Sequence, residues 1–282
     1  MTAGTEPGRS ADRPIAQGPD GGTDDFKGDL AAVWDAGAAS YDGLLGHGLF
    51  DRMEAQAWHD LLSGLLGDAR QRGTPIRLVL DVGTGTGVLA LMAADLGHDV
   101  TGLDLSTEML RRAADKARDL HLPVRFYQGD AEDPPFGTGT FDAVVSRHLL
   151  WTLPNPPAAV NRWSELVVPG GLVAIVDGFR PGHGPVGALL SRLREWWTRR
   201  AGRPEGASGT HEYTAAQYAR LPLARQRDER AAEQLMRRAG LREVRTRLLA
   251  EVDAAERAHR LDVGHAPGDY RHYLATGRRP LG

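Results

Sequence analysis

Three glycines at alternate positions follow a short apolar run and an aspartate in this sequence. The run 78–80 leads into Asp81, and Gly83, Gly85 and Gly87 come next. Glycine lets the backbone turn sharply and lets a ligand approach the chain without meeting a Cβ atom. The spacing does not fit the G-x-G-x-x-G pattern of dinucleotide sites, and no Gly-Lys-Ser/Thr follows that would make a phosphate loop. The carboxylate before the turn instead favours a ligand with positive charge.

Two further acids follow the next two predicted strands. Asp104 lies 17 residues beyond Gly87, directly after a predicted strand at 99–103. Asp130 follows a predicted strand at 124–128. An acid at the end of the second strand can accept hydrogen bonds from both hydroxyls of a ribose. Ligands of parallel α/β sheets bind outside the carboxyl ends of the strands, so we expect all three acids at one ligand site.

Residues after the fourth predicted strand are candidates for contact with a second molecule. His148 is the best-placed imidazole for general-base catalysis or a hydrogen bond to substrate; the alternative is that it orders its loop or bonds a cofactor carboxylate. Trp151 either forms a wall for an apolar substrate or covers the sheet. Trp196 and Trp197 lie on a predicted helix and point about 100° apart, so one can face the core and the other a substrate pocket or a subunit contact.

Strands and helices alternate from residue 76 onward. This pattern predicts the α/β class, with right-handed βαβ units and a mainly parallel sheet covered by helices on both faces. Seven strands are predicted, at 76–80, 99–103, 124–128, 141–146, 172–177, 243–249 and 270–276. Helices are predicted at 29–68 with a break at 43–48, and at 88–96, 107–120, 157–166, 188–200 and 228–239.

Composition and the predicted elements divide the chain into a tail and one domain. Residues 1–26 are rich in Gly, Pro, Asp and Thr and are predicted to be a disordered tail. The domain, 27–282, comprises an N-terminal helical cap (27–70), a ligand-binding core (76–178), an insertion (178–227) and a C-terminal completion of the sheet (228–282). The insertion is too long for an ordinary connection, so we expect it to form a lid over the substrate site.

Whole-chain composition excludes several classes of protein. The 282 residues are 41% hydrophobic and 25% charged, as in soluble globular proteins, and the net charge of −3 gives no global basic field for nucleic acid. There are no cysteines, and the histidines show no metal-binding spacing, so neither disulfides nor a metal site is predicted. No apolar run is long enough for a membrane span and the N-terminus lacks a signal-peptide pattern, so we expect no membrane partner and a cytoplasmic location.

Four segments together resemble class I S-adenosylmethionine-dependent methyltransferases. They are Asp81–Gly87, Gly102–Met109 (GLDLSTEM), 129–146 (GDAEDPPFGTGTFDAVVS) and 166–178 (LVVPGGLVAIVDG). Within that superfamily the chain is most similar to the branch with ubiquinone- and menaquinone-type C-methyltransferases and many bacterial natural-product methyltransferases. The resemblance covers about residues 30–178 closely. It implies a Rossmann-like fold and S-adenosylmethionine as the cofactor.

The resemblance also implies the cofactor contacts, residue by residue. The implied cofactor-binding residues are Asp81, Gly83, Thr84 and Gly85 for the methionine moiety, Asp104 for the ribose, Leu105 and Met109 on either side of the adenine, Asp130 and Ala131 at the adenine edge, Ser146, and Tyr41. Tyr41 resembles part of a Tyr-Asp element that caps the cofactor site; packing in the core is the alternative for its ring.

These observations predict transfer of a methyl group from S-adenosylmethionine to a small-molecule acceptor in secondary metabolism. His148 is the candidate catalytic residue, and Trp151, Trp196 and Trp197 are the candidate substrate contacts. Two alternatives stay open: a methyltransferase that acts on RNA, and a non-catalytic S-adenosylmethionine-binding subunit or regulator. Whether the chain forms a homo-oligomer is also open.

Overall fold

An eight-stranded sheet forms the centre of the protein in the computed structural model, which describes residues 16–17, 25–43, 52–71, 75–179, 213–225, 228–262 and 270–282. The strands are β1 (Ala16–Gln17), β2 (Leu78–Val82), β3 (Asp99–Asp104), β4 (Arg125–Gln128), β5 (Phe141–Arg147), β6 (Val167–Phe179), β7 (Arg242–Leu248) and β8 (Arg271–Arg278). Their order is β1-β4-β3-β2-β5-β6-β8-β7. Neighbours from β1 to β6 are parallel, and β8 is antiparallel to β6 and β7. The predicted mainly parallel sheet of seven strands is confirmed, and the two-residue β1 extends it.

Helices cover both faces of this sheet, as predicted. They are α1 (Asp25–Tyr41), α2 (Arg52–Gln71), α3 (Val88–Asp95), α4 (Thr107–Asp119), α5 (Pro156–Leu166), α6 (Ala215–Ala219), α7 (Arg230–Arg238) and α8 (Ala250–Asp262). Apolar side chains of α2, α3, α4 and α8 form one buried cluster on one face of the sheet. Those of α5 and α7 form a second cluster on the opposite face. The sheet is therefore buried on both sides, which agrees with its continuous apolar strands.

The order of the strands places a crevice at the end of β2. The chain passes from β2 to β3 and β4 on one side, and then returns to β5 on the other side of β2. Loops that leave β2 and β5 therefore turn in opposite directions, which opens a ligand site at the carboxyl ends of the strands. The glycine turn and the predicted acids all lie at this edge.

Two parts of the predicted disordered tail are ordered. Ala16 and Gln17 pair in parallel with Tyr127 and Gln128 of β4. Helix α1 begins at Asp25, before the predicted boundary, because Phe26 is buried and anchors its first turn in a small apolar cluster. The rest of the segment 1–26 lies outside the described residues.

Several predicted boundaries also change. Strand β2 begins at Leu78, two residues later than predicted, and the backbone N–H groups of Arg77 and Leu78 donate to the side chain of Asp142 at this end of the strand. Helix α8 was not predicted at all. The predicted helix at 188–200 lies outside the described residues.

Within the described part of the chain, the helices are each too short or too polar to cross a membrane.

Trp163 connects helix α5, which covers one face of the sheet, to the loop after β4 at the edge of the crevice. Its side chain is fully buried, and its indole Nε1 donates to the carbonyl oxygen of Ala131 at 2.8 Å. Replacing Trp163 with Phe removes that donor and part of the ring volume, so we expect the free energy of unfolding to fall by about 1–3 kcal/mol. Urea denaturation measures this change.

The matched surface control is Leu281→Ala, because the Leu281 side chain is 80% exposed. We expect the unfolding free energy of this variant to stay within about 0.5 kcal/mol of the wild type. An equally small effect of Trp163→Phe would show that the indole hydrogen bond contributes nothing to stability.

Candidate functional site

The glycine turn brings the backbone to the surface of the crevice. Gly83 and Gly85 have φ values of 68° and 54°, in the left-handed region that side chains with a Cβ rarely adopt. A Cβ on Gly83 would lie 2.7 Å from the Leu149 side chain. A Cβ on Gly85 would meet only the Tyr41 ring, at 3.9 Å, so Gly85 borders open space. The turn thus offers a bare backbone surface to a ligand.

Asp81 lies beneath this turn and does not line the crevice. Its side chain is 2% exposed, and its Oδ2 accepts hydrogen bonds from the Thr84 hydroxyl at 2.7 Å and from the Ala90 backbone N–H at 3.1 Å. Burial raises the pKa of Asp81 to about 7, against the opposing effect of these hydrogen bonds. In the structure Asp81 therefore holds the turn and the first turn of α3 in place.

Asp104 faces the crevice from the end of β3. Its Oδ2 accepts from the Gly85 backbone N–H at 2.8 Å, and its Oδ1 accepts from the Ser106 backbone N–H at 2.9 Å. Burial raises the pKa of Asp104 to about 6, although these backbone donors act in the other direction. Each carboxylate oxygen has a further lone pair, so both can still accept a hydrogen bond from a ligand.

A cleft of about 740 Å³, part of it open to solvent, lies over the turn and Asp104. The cleft is lined by Lys27, Leu30, Trp34, Tyr41, Gly83, Gly85, Asp104, Leu105, Met109, Asp130, Ala131, Glu132, Arg147, His148, Leu149, Thr152, Leu153 and Pro154.

One end of the cleft carries a lysine between two acids. The Lys27 Nζ of α1 lies 2.6 Å from the Asp130 Oδ2 and 2.6 Å from the Glu132 Oε2. Burial opposes the charge on Lys27, but the hydrogen bonds and the charges of the two carboxylates outweigh burial and raise its pKa. These acids are therefore already satisfied by a cationic donor from the N-terminal helix.

Helix α1 forms the front of the cleft with Leu30, Trp34 and Tyr41, and polar contacts hold it there. Asp35 accepts hydrogen bonds from the Ser106 hydroxyl and the Glu108 backbone N–H, at the start of α4. The Trp34 and Tyr41 rings meet edge to face at 6.0 Å. Burial raises the pKa of the Tyr41 phenol to about 12, so its hydroxyl stays protonated at neutral pH.

Arg147 and His148 form the opposite wall at the end of β5. The Arg147 guanidinium carbon lies 4.1 Å from the centre of the Trp58 ring. His148 has a φ of 54°, and its backbone N–H donates to the Val176 carbonyl oxygen at 2.9 Å. A non-glycine residue in this conformation is held by its surroundings, as is common at functional sites.

The structure brings most of the predicted site residues together. Those that line the cleft are Tyr41, Gly83, Gly85, Asp104, Leu105, Met109, Asp130, Ala131 and His148. Asp81, Thr84 and Ser146 are buried behind it. Trp151 packs against Tyr213, with ring centres 5.9 Å apart, instead of lining the cleft. Trp196 and Trp197 lie outside the described residues.

The sequence predicted Tyr41 of α1 as a site residue but missed Lys27, Leu30 and Trp34 of the same helix, and it missed Arg147, the residue before His148. Lys27, Leu30, Trp34 and Tyr41 are spaced so that they share one face of a helix. That spacing was available in the sequence and could have identified this face. Nothing local to Arg147 distinguishes it from a surface arginine, so its burial needed the tertiary structure.

Among the described residues, no group of three or more potential ligands is arranged to hold a metal ion.

Comparisons with known proteins find methyltransferases. The model of a methyltransferase domain matches residues 80–175. Phosphatidylethanolamine N-methyltransferase of Cereibacter sphaeroides is 36% identical over 145 residues, which are 49% of this chain and 71% of that protein. The 2-phytyl-1,4-naphtoquinone methyltransferase of Synechocystis sp. is 35% identical over 124 residues, which are 42% of this chain and 50% of that protein.

A solved structure shows the same fold. Haemonchus contortus phosphoethanolamine N-methyltransferase 2, in complex with phosphomonomethylethanolamine and S-adenosylhomocysteine, has a TM-score of 0.59 and 18% identity, over 90% of this chain and 60% of that one. The chain thus spans between half and about seven-tenths of these three proteins' own lengths.

The buried Asp81 carboxylate predicts a pH dependence of stability. Its pKa in the native state, about 7, is above the ordinary value of 3.8, so the native state binds more protons than the unfolded state between these pH values. Asp81 therefore destabilises the native state progressively as pH rises through this window. Asp81→Asn does not titrate, so we expect its loss of unfolding free energy relative to the wild type to be larger at pH 5 than at pH 8.

Urea denaturation of both proteins at the two pH values measures the difference, and the comparison removes titrations that the two proteins share. A loss that grows from pH 5 to pH 8 would show that the native state stabilises the Asp81 carboxylate, contrary to the argument from burial.

Proposed function

The chain belongs to the class I S-adenosylmethionine-dependent methyltransferase family, in the branch with ubiquinone- and menaquinone-type enzymes, and on this premise we propose that it methylates a small-molecule acceptor. The observation that carries the proposal is the junction of Asp104 with the glycine turn, which puts a carboxylate and a bare backbone side by side in one cleft.

The cleft fits the cofactor that the family uses. Asp104 would hold the ribose hydroxyls, Gly83 and Gly85 would leave room for the methionine moiety, and Asp130 would face the amino edge of the adenine. Leu105 and Met109 supply apolar contacts for the base. When bound, S-adenosylmethionine supplies a methyl group that its sulfonium already activates.

The other residues of the cleft orient the acceptor and exclude water. Alignment of a nucleophile with an activated carbon can lower the activation free energy by roughly 7–11 kcal/mol at best. Positioning of the acceptor therefore accounts for much of the expected rate enhancement. Trp34, Tyr41 and Leu149 provide apolar surface, and Arg147 provides a half-buried cation. His148 serves as a general base where the acceptor is a phenol, an acid or a C–H group, whereas an amine needs no base.

Residues of the 178–227 segment support its role in acceptor recognition. Tyr213 is buried against Trp34 and Trp151, with ring centres 6.0 Å and 5.9 Å away, and Leu221 belongs to the same apolar cluster. The end of this segment is thus packed on α1, which forms the front of the cleft. We extend the proposal to Trp196 and Trp197 as acceptor contacts. A role in secondary metabolism, a cytoplasmic location and the absence of nucleic-acid binding also stay predictions, and whether the chain forms a homo-oligomer stays open.

The first test of the cofactor site is Asp104→Asn. The variant loses the charge that would accept the ribose hydroxyls, so we expect affinity for S-adenosylmethionine to fall by about 1.5–3 kcal/mol, roughly tenfold to a hundredfold. Because the pKa of Asp104 is about 6, wild-type affinity should also weaken as pH falls from 7 to 5, and the variant should lack this dependence. Isothermal titration calorimetry measures both effects.

Asp99→Asn is the matched control for this test. Asp99 begins the same strand that Asp104 ends, and it pairs with Arg125 at 2.8 Å, away from the cleft. The control should bind S-adenosylmethionine as the wild type does. If both variants fold correctly and bind S-adenosylmethionine with equal affinity, Asp104 is not part of the cofactor site.

The glycine turn provides an independent test. Gly85→Val puts a branched side chain into open space in the cleft, so we expect loss of detectable cofactor binding. Gly97→Val is the control, since Gly97 also has a positive φ, 88°, but lies at the end of α3 with no atom within 4 Å of a Cβ. Both variants carry backbone strain, and only the first should lose binding. Normal binding by Gly85→Val would mean that the turn is purely structural.

Turnover separates the proposed enzyme from the two alternatives. The full chain with S-adenosylmethionine and a panel of phenols, quinols, carboxylic acids and amines should release S-adenosylhomocysteine. Tight cofactor binding without release on any acceptor would favour a non-catalytic subunit. Release that requires RNA would favour the RNA methyltransferase.

A further inference from the structure

Arg147 borders the glycine turn on the β5 side of the cleft. Val82 of β2 pairs with Ser146 of β5, so Gly83 and Arg147 directly follow this pair on neighbouring strands. Arg147 is half-buried and lines the cleft together with Gly83 and Gly85. A charged side chain thus stands next to the bare backbone of the turn.

The Arg147 side chain is held from the face of the sheet that α2 and α8 cover. Its guanidinium carbon lies 4.1 Å from the centre of the fully buried Trp58 ring, a distance that favours a cation–π interaction. Glu54 of α2 and Glu256 of α8, which are 0% and 6% exposed, interact with it electrostatically. Neither carboxylate lines the cleft, whereas Arg147 does. An anion that enters the cleft at this point consequently meets the guanidinium and not the two carboxylates.

The guanidinium also interacts with groups on two sides of the glycine turn. Tyr41 of α1 is one of them, and its ring lies 3.9 Å from the position of a Cβ on Gly85. Asp81, which lies beneath the turn, is another. These interactions place the positive charge of Arg147 at the turn itself.

A lysine and an arginine line the cleft among the described residues, and they stand at opposite ends of it. The Lys27 Nζ lies 2.6 Å from the Asp130 Oδ2 and from the Glu132 Oε2, beyond the end of β4. Arg147 ends β5. Because β3 and β2 lie between β4 and β5, three interstrand spacings separate the two ends by about 14 Å. An anion bound at the β5 end is therefore far from Lys27 and close to Arg147.

The proposed cofactor carries one anionic group, the carboxylate of its methionine moiety. With the adenine at Asp130, the ribose at Asp104 and the methionine moiety along the turn after β2, successive parts of the molecule would follow successive strands of the sheet. The next strand in this order is β5, and Arg147 is the first of its residues to line the cleft. A guanidinium can donate two parallel hydrogen bonds to a carboxylate, and it keeps its charge throughout the pH range in which proteins work.

We propose, resting on the proposed methyl transfer, that Arg147 is a cofactor-binding residue that holds the carboxylate of the methionine moiety of S-adenosylmethionine. The sulfonium lies between the ribose and this carboxylate in the covalent structure of the cofactor. Anchoring the ribose at Asp104 and the carboxylate at Arg147 limits how the methyl group can turn. The same guanidinium could instead bind a carboxylate of the acceptor, and the experiments below distinguish these two sources.

The first test compares two ligands that differ by one carboxylate. They are S-adenosylhomocysteine and its decarboxylated form, which keeps the adenosine, the sulfur and the amine. Isothermal titration calorimetry of the full wild-type chain should show roughly tenfold to a hundredfold weaker binding of the decarboxylated form, because a charge-assisted hydrogen-bonded pair is lost. Equal affinity of the wild type for the two ligands would overturn the proposal without any variant.

Arg147→Gln should abolish this difference between the ligands. We expect its affinity for S-adenosylhomocysteine to fall by roughly tenfold to a hundredfold, and its affinity for the decarboxylated form to stay as in the wild type. If Arg147→Gln still distinguishes the two ligands as the wild type does, other groups hold the carboxylate and the proposal is wrong.

A second variant covers the case in which Arg147→Gln does not fold. Removing Arg147 alone leaves Glu54 and Glu256 buried without this cation, which is destabilising. Arg147→Gln combined with Glu54→Gln removes one positive and one negative charge, so the net charge of the region is unchanged. This double variant should lose the difference between the ligands, and Glu54→Gln alone should keep it. A double variant that retains the difference would contradict the proposal.

Arg125→Gln is the matched control. Arg125 begins β4, donates to Asp99 at 2.8 Å and does not line the cleft. Both ligands should bind this variant as they bind the wild type. A loss of affinity for S-adenosylhomocysteine alone, as large as that in Arg147→Gln, would show that any lost arginine has this effect.

Kinetics distinguish a cofactor carboxylate from an acceptor carboxylate. With an acceptor that has no carboxylate, such as a phenol, Arg147→Gln should raise KM for S-adenosylmethionine. An unchanged KM for S-adenosylmethionine, with a KM that rises only for carboxylic acid acceptors, would assign Arg147 to the acceptor and overturn the proposal.

The failure of this inference and the failure of the proposed function give different results. A wild type that distinguishes the two ligands but releases no S-adenosylhomocysteine with any acceptor would reject methyl transfer and keep the role of Arg147 in binding. Methyl transfer with equal affinity for the two ligands would reject the role of Arg147 alone. A wild type that binds neither ligand would reject both.

Discussion

Asp104 joins the ends of two neighbouring strands through hydrogen bonds from the backbone. Its carboxylate accepts from Gly85 in the turn after β2 and from Ser106 at the start of α4, so its position is set by main-chain groups of two elements. The same bonds keep the turn in the left-handed conformation that only glycine adopts without strain. These bonds therefore make the shape of the cleft, the orientation of the Asp104 carboxylate and the position of the start of α4 depend on one another. Asp81 supports the arrangement from below through Thr84.

The cleft has one wall built on the sheet and another supplied by α1, and their interactions differ. The residues of the sheet wall directly follow buried strands in the chain, so the strands hold them in place. Helix α1 is held by polar contacts: Lys27 bridges two acids, Asp35 accepts at the start of α4, and Asp42 pairs with Lys116 at 3.0 Å. The Lys27 ammonium occupies the acids that would face an adenine amino group, so cofactor binding and the attachment of α1 involve the same carboxylates.

The sequence predicted the sheet and the glycine-turn end of the cleft because both depend on local patterns. Apolar strands and glycine spacing are visible without any tertiary contact, and they placed Asp104 and Gly85 at one edge of the sheet, where the structure has both of them lining the cleft. Helix α8 was missed because its inner face carries Asp253 and Glu256, so the apolar repeat that predicts an amphipathic helix is absent. Those acids are buried only because β8 brings His272 between them, a contact between residues distant in sequence. The burial of these acids behind the cleft therefore required the structure.

The central claim is that Asp104 and the glycine turn form the adenosine end of a methyltransferase site. A crystal structure of the full chain with S-adenosylhomocysteine tests it most directly. The account predicts both ribose hydroxyls within hydrogen-bond distance of the Asp104 carboxylate, the homocysteine portion along Gly83–Gly85, and the adenine amino group at Asp130. A nucleoside bound away from Asp104, or one with its ribose hydroxyls turned toward solvent, would contradict the account.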